Sequence, residues 1–179
     1  MSETAKRPIK VLFPEVKIQQ RIQEIAHRIN QDYRGKELTA ICTLKGSFIF
    51  FSDLIRHIDV PMTCEFMGLS SYGSAQVTSG EVKITLDITE PLEGKHVLIV
   101  EDIVDTGLTL DYMLRMLQAR KPASIKVCSF LVKPKRIIKD VPVDYVGFQV
   151  GDEFVVGYGL DDGELHRGLP YIGYFENEH

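Results

Sequence analysis

Three carboxylates stand close together directly after an apolar run, in the stretch VLIVEDIVDTGLTL at residues 97–110. They belong to Glu101, Asp102 and Asp105, and their like charges repel one another at short distance. Carboxylates grouped in this way can hold hydroxyl groups, coordinate Mg²⁺ or transfer a proton. The stretch is therefore a candidate functional site.

The loop that follows these carboxylates suits a phosphate group. It offers backbone N–H groups, hydroxyls and a flexible glycine at a predicted helix start, from Thr106, Gly107, Leu108 and Thr109. A helix N-terminus attracts anions because its first N–H groups are unpaired and its dipole is positive there. A ligand whose phosphate binds the loop and whose hydroxyls bind the carboxylates would be a sugar phosphate.

A plainer interpretation stays open at this point. An acidic pair after a strand is commonly a solvated loop, with Asp105 serving only as the N-cap of the next helix. Other motifs are excluded by the sequence. There is no G-x-x-x-x-G-K-[ST] segment, GYGLDD at 157–162 is not a complete dinucleotide fingerprint, and the histidines show no H-x-x-x-H pair for zinc.

Strands and helices alternate along the chain. Apolar residues at helical spacing predict three helices, carrying Ile18, Ile22, Ile25 and Ile29 (with a stop near Gly35), then Phe48, Phe51, Leu54 and Ile55, then Leu110, Met113, Leu114 and Leu117. Strands are predicted at 37–44, 62–69, 81–88, 96–101, 123–132, 143–150 and 154–160. This alternation predicts one α/β domain over residues 1–179, with a central, mostly parallel sheet flanked by helices. Ligands bind at the carboxyl ends of such strands, where the acidic stretch lies.

The segment SSYGSAQVTSG at residues 70–80 follows neither a helical nor a strand period. Its small and polar composition predicts a long, mobile loop, and long loops in small domains commonly serve function. We interpret it as a candidate lid over the site.

Composition narrows the class of protein. The 179 residues carry a net charge of −4, so no nucleic-acid partner is expected. No apolar stretch is long enough to span a membrane or to form a targeting segment, so we expect a cytoplasmic protein with no membrane partner.

The cysteines at 42, 64 and 128 each lie in an apolar run and are expected to be buried, reduced thiols. One basic cluster is, on its own, typical of a solvated surface: Lys133, Lys135, Arg136 and Lys139.

The stretch at 97–110 resembles the phosphoribosyl-pyrophosphate signature of the purine phosphoribosyltransferase family. It has the apolar strand, two acids, two apolar residues and Asp-Thr-Gly of that signature. Further segments resemble the family in the same order, at 42–54, 69–73, 130–136 and 151–173. The similarity spans roughly residues 8 to 175 and is greatest to the bacterial hypoxanthine(-guanine) type. It implies a type I phosphoribosyltransferase fold, with a small hood formed from the termini and a flexible loop.

The resemblance implies a role for each part of the acidic stretch. Glu101 and Asp102 would hold the ribose 2- and 3-hydroxyls, and Asp105 would transfer a proton at purine N7. The segment from Thr106 to Thr109 would wrap the 5-phosphate. Some family members have Lys at the position of Leu108, so one phosphate-loop cation is missing here.

Other segments would bind pyrophosphate, metal and base. Leu44, Lys45 and Gly46 would contact pyrophosphate through a cis Leu44–Lys45 peptide, and Arg167 would pair with it. Asp161 would bind Mg²⁺, with Glu101 and Asp102 at the same metal edge. The purine would be held by Lys133 at its 6-oxo group, by the ring of Phe154 and by the backbone of Val155. Ser71 and Tyr72 lie on the implied lid, and Asp162 stands where the family usually has an aromatic residue.

The implied reaction is purine salvage. The 5-phosphoribosyl group of phosphoribosyl pyrophosphate would pass to hypoxanthine, and to guanine, giving IMP or GMP and pyrophosphate. Relatives imply an Mg²⁺ cofactor and a homo-oligomer, either a dimer or a tetramer. Two other classes of protein fit the sequence less well. A phosphoacceptor receiver domain needs more chain than follows Asp102, and a regulator that binds phosphoribosyl pyrophosphate and nucleic acid would need a basic face.

Overall fold

A six-stranded sheet forms the centre of the molecule. The computed structural model describes residues 8–71 and 82–176. The strands of this sheet are β2 (Leu38–Leu44), β3 (Met62–Ser71), β4 (Val82–Leu86), β5 (His96–Val104), β6 (Ser124–Val132) and β7 (Tyr145–Gln149). They lie in the order β4-β3-β2-β5-β6-β7, and only the pairing of β3 with β4 is antiparallel. The predicted mostly parallel sheet is confirmed.

Three helices pack on this sheet in the described part of the chain: α1 (Glu15–Asp32), α2 (Phe48–Ile55) and α3 (Leu108–Gln118). The isoleucine stripe of α1 is buried as predicted, and the chain turns away at Gly35, whose φ is 73°. Helix α2 differs in detail, because Phe50 is buried and Phe48 is 42% exposed. In α3 the predicted face is buried, with Leu114 half-buried beside it.

A second, smaller sheet joins the two ends of the chain. Its strands are β1 (Ile9–Phe13), β8 (Val155–Val156) and β9 (Ile172–Phe175), in the antiparallel order β1-β9-β8. This sheet is the small hood that the resemblance implied. The predicted strand at 154–160 was too long, because Gly157, Tyr158 and Gly159 all have positive φ values and turn the chain out of the sheet.

Strand β5 runs three residues further than predicted, to Val104. The acids interrupt the apolar run, yet Ile103 and Val104 continue the pairing with Leu131 and Val132 of β6. Glu101 and Asp102 therefore lie within a strand and on its opposite faces, rather than in a loop.

Three further observations bear on the predictions. Cys42 and Cys128 are buried, but the expectation for Cys64 was wrong: it is exposed on β3, near Phe66, which is itself 44% exposed. Residues 70 and 71 of the predicted loop extend β3, and the rest of that loop, with Tyr72, lies outside the described residues. No helix in the described ranges 8–71 and 82–176 is long and apolar enough to cross a membrane.

Candidate active site

A cleft of about 480 Å³ opens where β2 and β5 end and α3 begins. Most of the residues singled out in the sequence meet in its wall: Leu44, Lys45, Gly46, Glu101, Asp102, Asp105, Thr106, Gly107, Thr109, Asp161 and Arg167. They come from three separate segments of the chain, at 44–46, 101–109 and 161–167. The parallel sheet brings the segments together because its strands end at one edge.

The acidic pair is the most buried part of this wall. Glu101 is 9% exposed, and the hydroxyl of Thr43 donates to its Oε2 at 2.7 Å. Burial raises the pKa of Glu101 to about 8, and the neighbouring Asp102 carboxylate adds to the rise. Burial also raises the pKa of Asp102 to about 6, although the Ile103 N–H and Arg167 act in the opposite direction. Two carboxylates held this way favour a cationic or hydroxyl-bearing ligand.

Gly46 lies directly against Asp102. A Cβ at this position would fall 1.6 Å from the Oδ2 of Asp102, so no larger residue fits unless the carboxylate moves. Gly159 packs on the other side, where a Cβ would fall 2.1 Å from the carbonyl oxygen of Gly46. The Leu44–Lys45 peptide is cis, as the resemblance implied. The loop after β2 is therefore fixed between the acidic pair and the 157–159 turn.

The loop before α3 is shaped by Gly107. Its φ of 82° is left-handed, and a Cβ there would meet the carbonyl oxygen of Lys139 at 2.3 Å. Gly107 is the N-cap of α3, so the plainer interpretation of Asp105 as the N-cap is wrong. The Thr106 carbonyl accepts hydrogen bonds from the N–H groups of Ile138 and Lys139, at 2.9 and 3.0 Å. Leu108 begins the helix but does not line the cleft.

Asp105 has a partner that the sequence did not reveal. The Nε of Arg136 lies 2.8 Å from its Oδ1. Arg136 was placed in a basic cluster typical of a solvated surface, and nothing in its spacing pointed to Asp105. The short 3-10 turn Pro134–Arg136 after β6 brings the two side chains together.

The three residues expected at the base lie beside the cleft rather than in its wall. Lys133 is 5% exposed, so the interpretation of a surface lysine is wrong. Its Nζ donates to the carbonyl oxygen of Glu153 at 2.8 Å, and its backbone N–H donates to Val104 at 2.9 Å. Val155 is buried in β8, and the ring of Phe154 is 59% exposed. Phe154 therefore has an open face.

An ionic network closes the opposite side of the cleft. The Nη2 of Arg167 lies 3.0 Å from the Oδ1 of Asp161, and its Nη1 donates to the carbonyl oxygen of Gly159 at 2.8 Å. Glu164, which the sequence reasoning missed, contacts both Arg167 and Lys45. Asp161 and Arg167 are thereby held in one turn of the chain, on the same cleft as the acidic pair.

Tyr158 anchors this turn to the helical layer. Its hydroxyl donates to the carboxylate of Asp53 in α2, and the side chain of Gln19 in α1 donates to the same carboxylate at 3.0 Å. Sequence reasoning missed both contacts, because they join residues that are more than thirty positions apart. The anchor fixes the turn that carries Asp161.

The oxygen ligands in the cleft fit Mg²⁺. Glu101, Asp102 and Asp161 all line the cleft, and the charge of Asp161 contributes to the raised pKa of Asp102. Among the described residues, no group of three or more His, Cys, Asp or Glu side chains is placed to hold a metal ion by itself. Mg²⁺ commonly binds through one or two protein carboxylates and completes its shell with water and substrate phosphates. This open set of carboxylates matches that mode.

Comparison with known proteins agrees with this geometry. A family model described as a phosphoribosyl transferase domain matches residues 12–163. Hypoxanthine phosphoribosyltransferase from Salmonella typhimurium is 46% identical, with 94% of this chain and 96% of that protein covered. Hypoxanthine-guanine phosphoribosyltransferase from Bacillus subtilis is 47% identical, with 92% and 91% covered.

Solved structures show the same relationship. A crystal structure of a hypoxanthine-guanine phosphoribosyltransferase from Bacillus anthracis superimposes with a TM-score of 0.90 at 44% identity, and covers 94% of this chain and 100% of that chain. A hypoxanthine phosphoribosyltransferase from Staphylococcus aureus also gives a TM-score of 0.90, at 45% identity and with 93% and 91% covered. The chain therefore belongs to the phosphoribosyltransferase family, among the hypoxanthine and hypoxanthine-guanine phosphoribosyltransferases.

Proposed function

We propose that this protein transfers the 5-phosphoribosyl group of phosphoribosyl pyrophosphate to hypoxanthine, and also to guanine, in purine salvage. The products are IMP or GMP and pyrophosphate. The observation that carries the proposal is the position of the buried Glu101–Asp102 pair beside the N-terminus of α3, in one cleft. The carboxylates accept hydrogen bonds from the ribose hydroxyls, and the helix N-terminus next to them binds the phosphate.

The acidic pair supports the bond-breaking step. The bond between C1 of the ribose and the pyrophosphate oxygen breaks, and a purine nitrogen forms the new bond to C1. Positive charge develops on the sugar, as it does in glycoside hydrolysis. Carboxylates held in a buried site stabilise that charge in the transition state and hold the ribose hydroxyls.

Asp105 is proposed to transfer the proton at purine N7. It lines the cleft after the acidic pair, and Arg136 holds one of its carboxylate oxygens at 2.8 Å. Lys133 lies one residue beyond the end of β6, and its ammonium group donates to a carbonyl oxygen at 2.8 Å. A shift of that donor to the 6-oxo group of the base would select hypoxanthine and guanine.

Mg²⁺ is the proposed cofactor, held by Asp161 and the edge of the Glu101–Asp102 pair together with the substrate. When bound, it offsets the negative charge of the pyrophosphate leaving group. The protein groups on that side are Lys45 and Arg167, which both line the cleft. They orient the leaving group by charge.

We further propose a homo-oligomer, a dimer or a tetramer. Phe66 on β3 and Leu86 on the edge strand β4 are 44% and 46% exposed, and such apolar surface is typical of a subunit contact. All three cysteines are free thiols, which supports a reducing, cytoplasmic location. The net charge of −4 supports a small-molecule substrate rather than nucleic acid.

A direct assay tests the proposed function. Purified protein, phosphoribosyl pyrophosphate and Mg²⁺ are incubated with hypoxanthine, guanine, xanthine or adenine, and nucleotide formation is measured. IMP formation from hypoxanthine is expected. Tight binding of phosphoribosyl pyrophosphate with no product from any base would favour the regulatory alternative, which the enzyme names of the relatives do not support.

A further inference from the structure

The carboxylate of Glu164 joins the two cations on the side of the cleft assigned to pyrophosphate. Its Oε2 lies 3.1 Å from the Nζ of Lys45, and its Oε1 lies 3.2 Å from the Nη2 of Arg167. Each carboxylate oxygen therefore serves a different cation. Two oxygens of a diphosphate would make the same pair of contacts.

The backbone holds Glu164 at this place. Its φ of 69° is left-handed, and its N–H donates to the Oδ2 of Asp161 at 2.8 Å, within the tight turn closed by the pairing of Asp162 with Leu165. The turn therefore holds Glu164 within reach of Lys45 and Arg167, although a non-glycine residue at positive φ is unfavourable.

The side chain of Glu164 can leave without disrupting the fold. It is 65% exposed, and ion pairs with that exposure are individually weak. The hydrogen bond from Lys45, followed by the charge of Lys45, lowers the pKa of Glu164, so the carboxylate is ionised at neutral pH. A diphosphate carries more negative charge than one carboxylate and would compete for both cations.

We propose that Glu164 is an internal stand-in for pyrophosphate, which occupies Lys45 and Arg167 in the free protein and is displaced when phosphoribosyl pyrophosphate binds. The inference rests on the proposed function for its assignment of the two cations. Because Glu164 competes for these two cations, the protein binds phosphoribosyl pyrophosphate less tightly than it would without this carboxylate. Displacement of the carboxylate is part of substrate binding.

The test compares two neutralising variants of one turn. Glu164→Gln keeps the size of the side chain and removes its charge. The control, Asp162→Asn, removes one charge two residues away. Asp162 makes no ion pair with any described cation in the wild type. Dissociation constants for pyrophosphate and phosphoribosyl pyrophosphate are measured with Mg²⁺ by calorimetry. We expect Glu164→Gln to bind both about 3- to 10-fold more tightly, the range for two exposed ion pairs. Asp162→Asn should change either constant less than about 2-fold.

IMP provides a second readout, because it has the 5-phosphate but no pyrophosphate. Its affinity should be the same in wild type and in Glu164→Gln. Thermal unfolding without ligand verifies that each variant is folded. Glu164→Asn, which tolerates the left-handed backbone and is too short to reach both cations, replaces Glu164→Gln if that variant is unstable.

Several results would overturn the inference. Weaker or unchanged pyrophosphate binding in Glu164→Gln would show that Glu164 orients the cations or has no effect. An equal gain in Asp162→Asn, or in the affinity for IMP, would assign the effect to overall charge. A wild type that turns over no base would instead contradict the proposed function, whereas normal turnover without a gain in Glu164→Gln contradicts only the stand-in role.

Discussion

At the scale of single residues, the site combines groups that stabilise the fold poorly on their own. Glu101 and Asp102 are adjacent carboxylates with pKa values raised by burial, and Lys133 is a buried ammonium group. Buried charge is unfavourable unless it is paired. Such residues are expected where a ligand completes the pairing, and each one gives a specific prediction.

The first prediction concerns stability and pH. The pKa of Glu101 rises from an ordinary 4.5 to about 8 in the folded protein, so the folded state holds its proton more tightly than the unfolded state does. Stability is therefore lost as pH rises from about 4.5 through about 8. Glu101→Gln, which still accepts the hydrogen bond of Thr43, should raise the free energy of unfolding at pH 8 by about 1–3 kcal/mol.

At pH 5 the same substitution should have little effect, since Glu101 is then protonated in the folded protein. Denaturant unfolding at both pH values, in chelator, measures the difference. An equal effect of Glu101→Gln at pH 5 and pH 8 would mean that the carboxylate does not titrate in this range.

The second prediction tests the proton-transfer role of Asp105. Asp105→Asn keeps the shape of the side chain and one oxygen acceptor near Arg136, but it cannot take a proton. Turnover of hypoxanthine should fall about 10²- to 10⁴-fold, while binding of phosphoribosyl pyrophosphate stays close to wild type. Steady-state kinetics and calorimetry measure the two quantities, and turnover near the wild-type rate would remove Asp105 from this role.

The third prediction concerns base choice. Lys133 carries only donors, so it pairs with a 6-oxo group and meets the 6-amino group of adenine donor to donor. Adenine should be a negligible substrate, because sites built around one hydrogen bond discriminate by about 10⁴-fold. Lys133→Gln, whose amide presents either a donor or an acceptor, should weaken hypoxanthine use and narrow the gap to adenine. Equal use of adenine and hypoxanthine by the wild type would refute the role of Lys133.

At the scale of elements, the loop after β2 and the 157–159 turn hold the site in shape. The loop after β2 packs between Asp102 and the 157–159 turn, and Tyr158 ties that turn to Asp53 of α2. A Cβ at Gly46 would meet the carboxylate of Asp102, and a Cβ at Gly159 would meet the backbone carbonyl of Gly46, so neither position has space for a side chain. The geometry of the cleft therefore depends on the absence of Cβ atoms.

The fourth prediction separates this close contact from backbone strain. Gly159→Ala would place a Cβ 2.1 Å from the Gly46 carbonyl oxygen at a φ of 103°. It should weaken phosphoribosyl pyrophosphate binding at least about 10-fold, because a shift of about 1 Å in a positioned group has effects of this size or larger.

Gly163→Ala is the matched control, since Gly163 also has a positive φ, of 57°, but nothing lies within 4 Å of its added Cβ. It should lower stability by only about 1–2 kcal/mol and leave binding unchanged. Calorimetry on both variants makes the comparison. Equal loss of binding in the two would mean that strain, and not the contact with Gly46, is responsible.

The elements also show what the sequence could predict. Helical spacing located α1 and α3, because their buried faces follow a regular period that needs no knowledge of the partner. The end of β5 was missed, because the carboxylates interrupt the apolar run and only the pairing with β6 carries the strand on to Val104. Strand β1 was missed too, since it depends on β9 at the far end of the chain.

The same distinction applies within the site. The acidic stretch was found because its residues are consecutive in the sequence. The partners of Asp105 and Lys45 were not found, because Arg136 and Glu164 reach them only in the folded chain. Asp53 and Tyr158 were missed for the same reason.

At the scale of the whole molecule, one sheet edge collects segments that are far apart in the chain. The phosphate loop, the acidic pair, the loop after β2 and the Asp161 turn surround one cleft, and the hood sheet carries Val155 beside it. The family match over residues 12–163 covers the first three of these segments and reaches Asp161 in the fourth. The architecture and the comparisons therefore support the same activity.

The most direct test compares the wild type with the double variant Glu101→Gln, Asp102→Asn, with IMP and pyrophosphate both measured. The wild type should form one pyrophosphate for each IMP, and only when hypoxanthine and phosphoribosyl pyrophosphate are both present. The double variant should remain folded, because it removes two buried carboxylates whose ionised forms are unfavourable there, and should lose at least about 10²-fold in turnover. Wild-type turnover in a folded double variant would contradict the assignment of this cleft as the site of phosphoribosyl transfer.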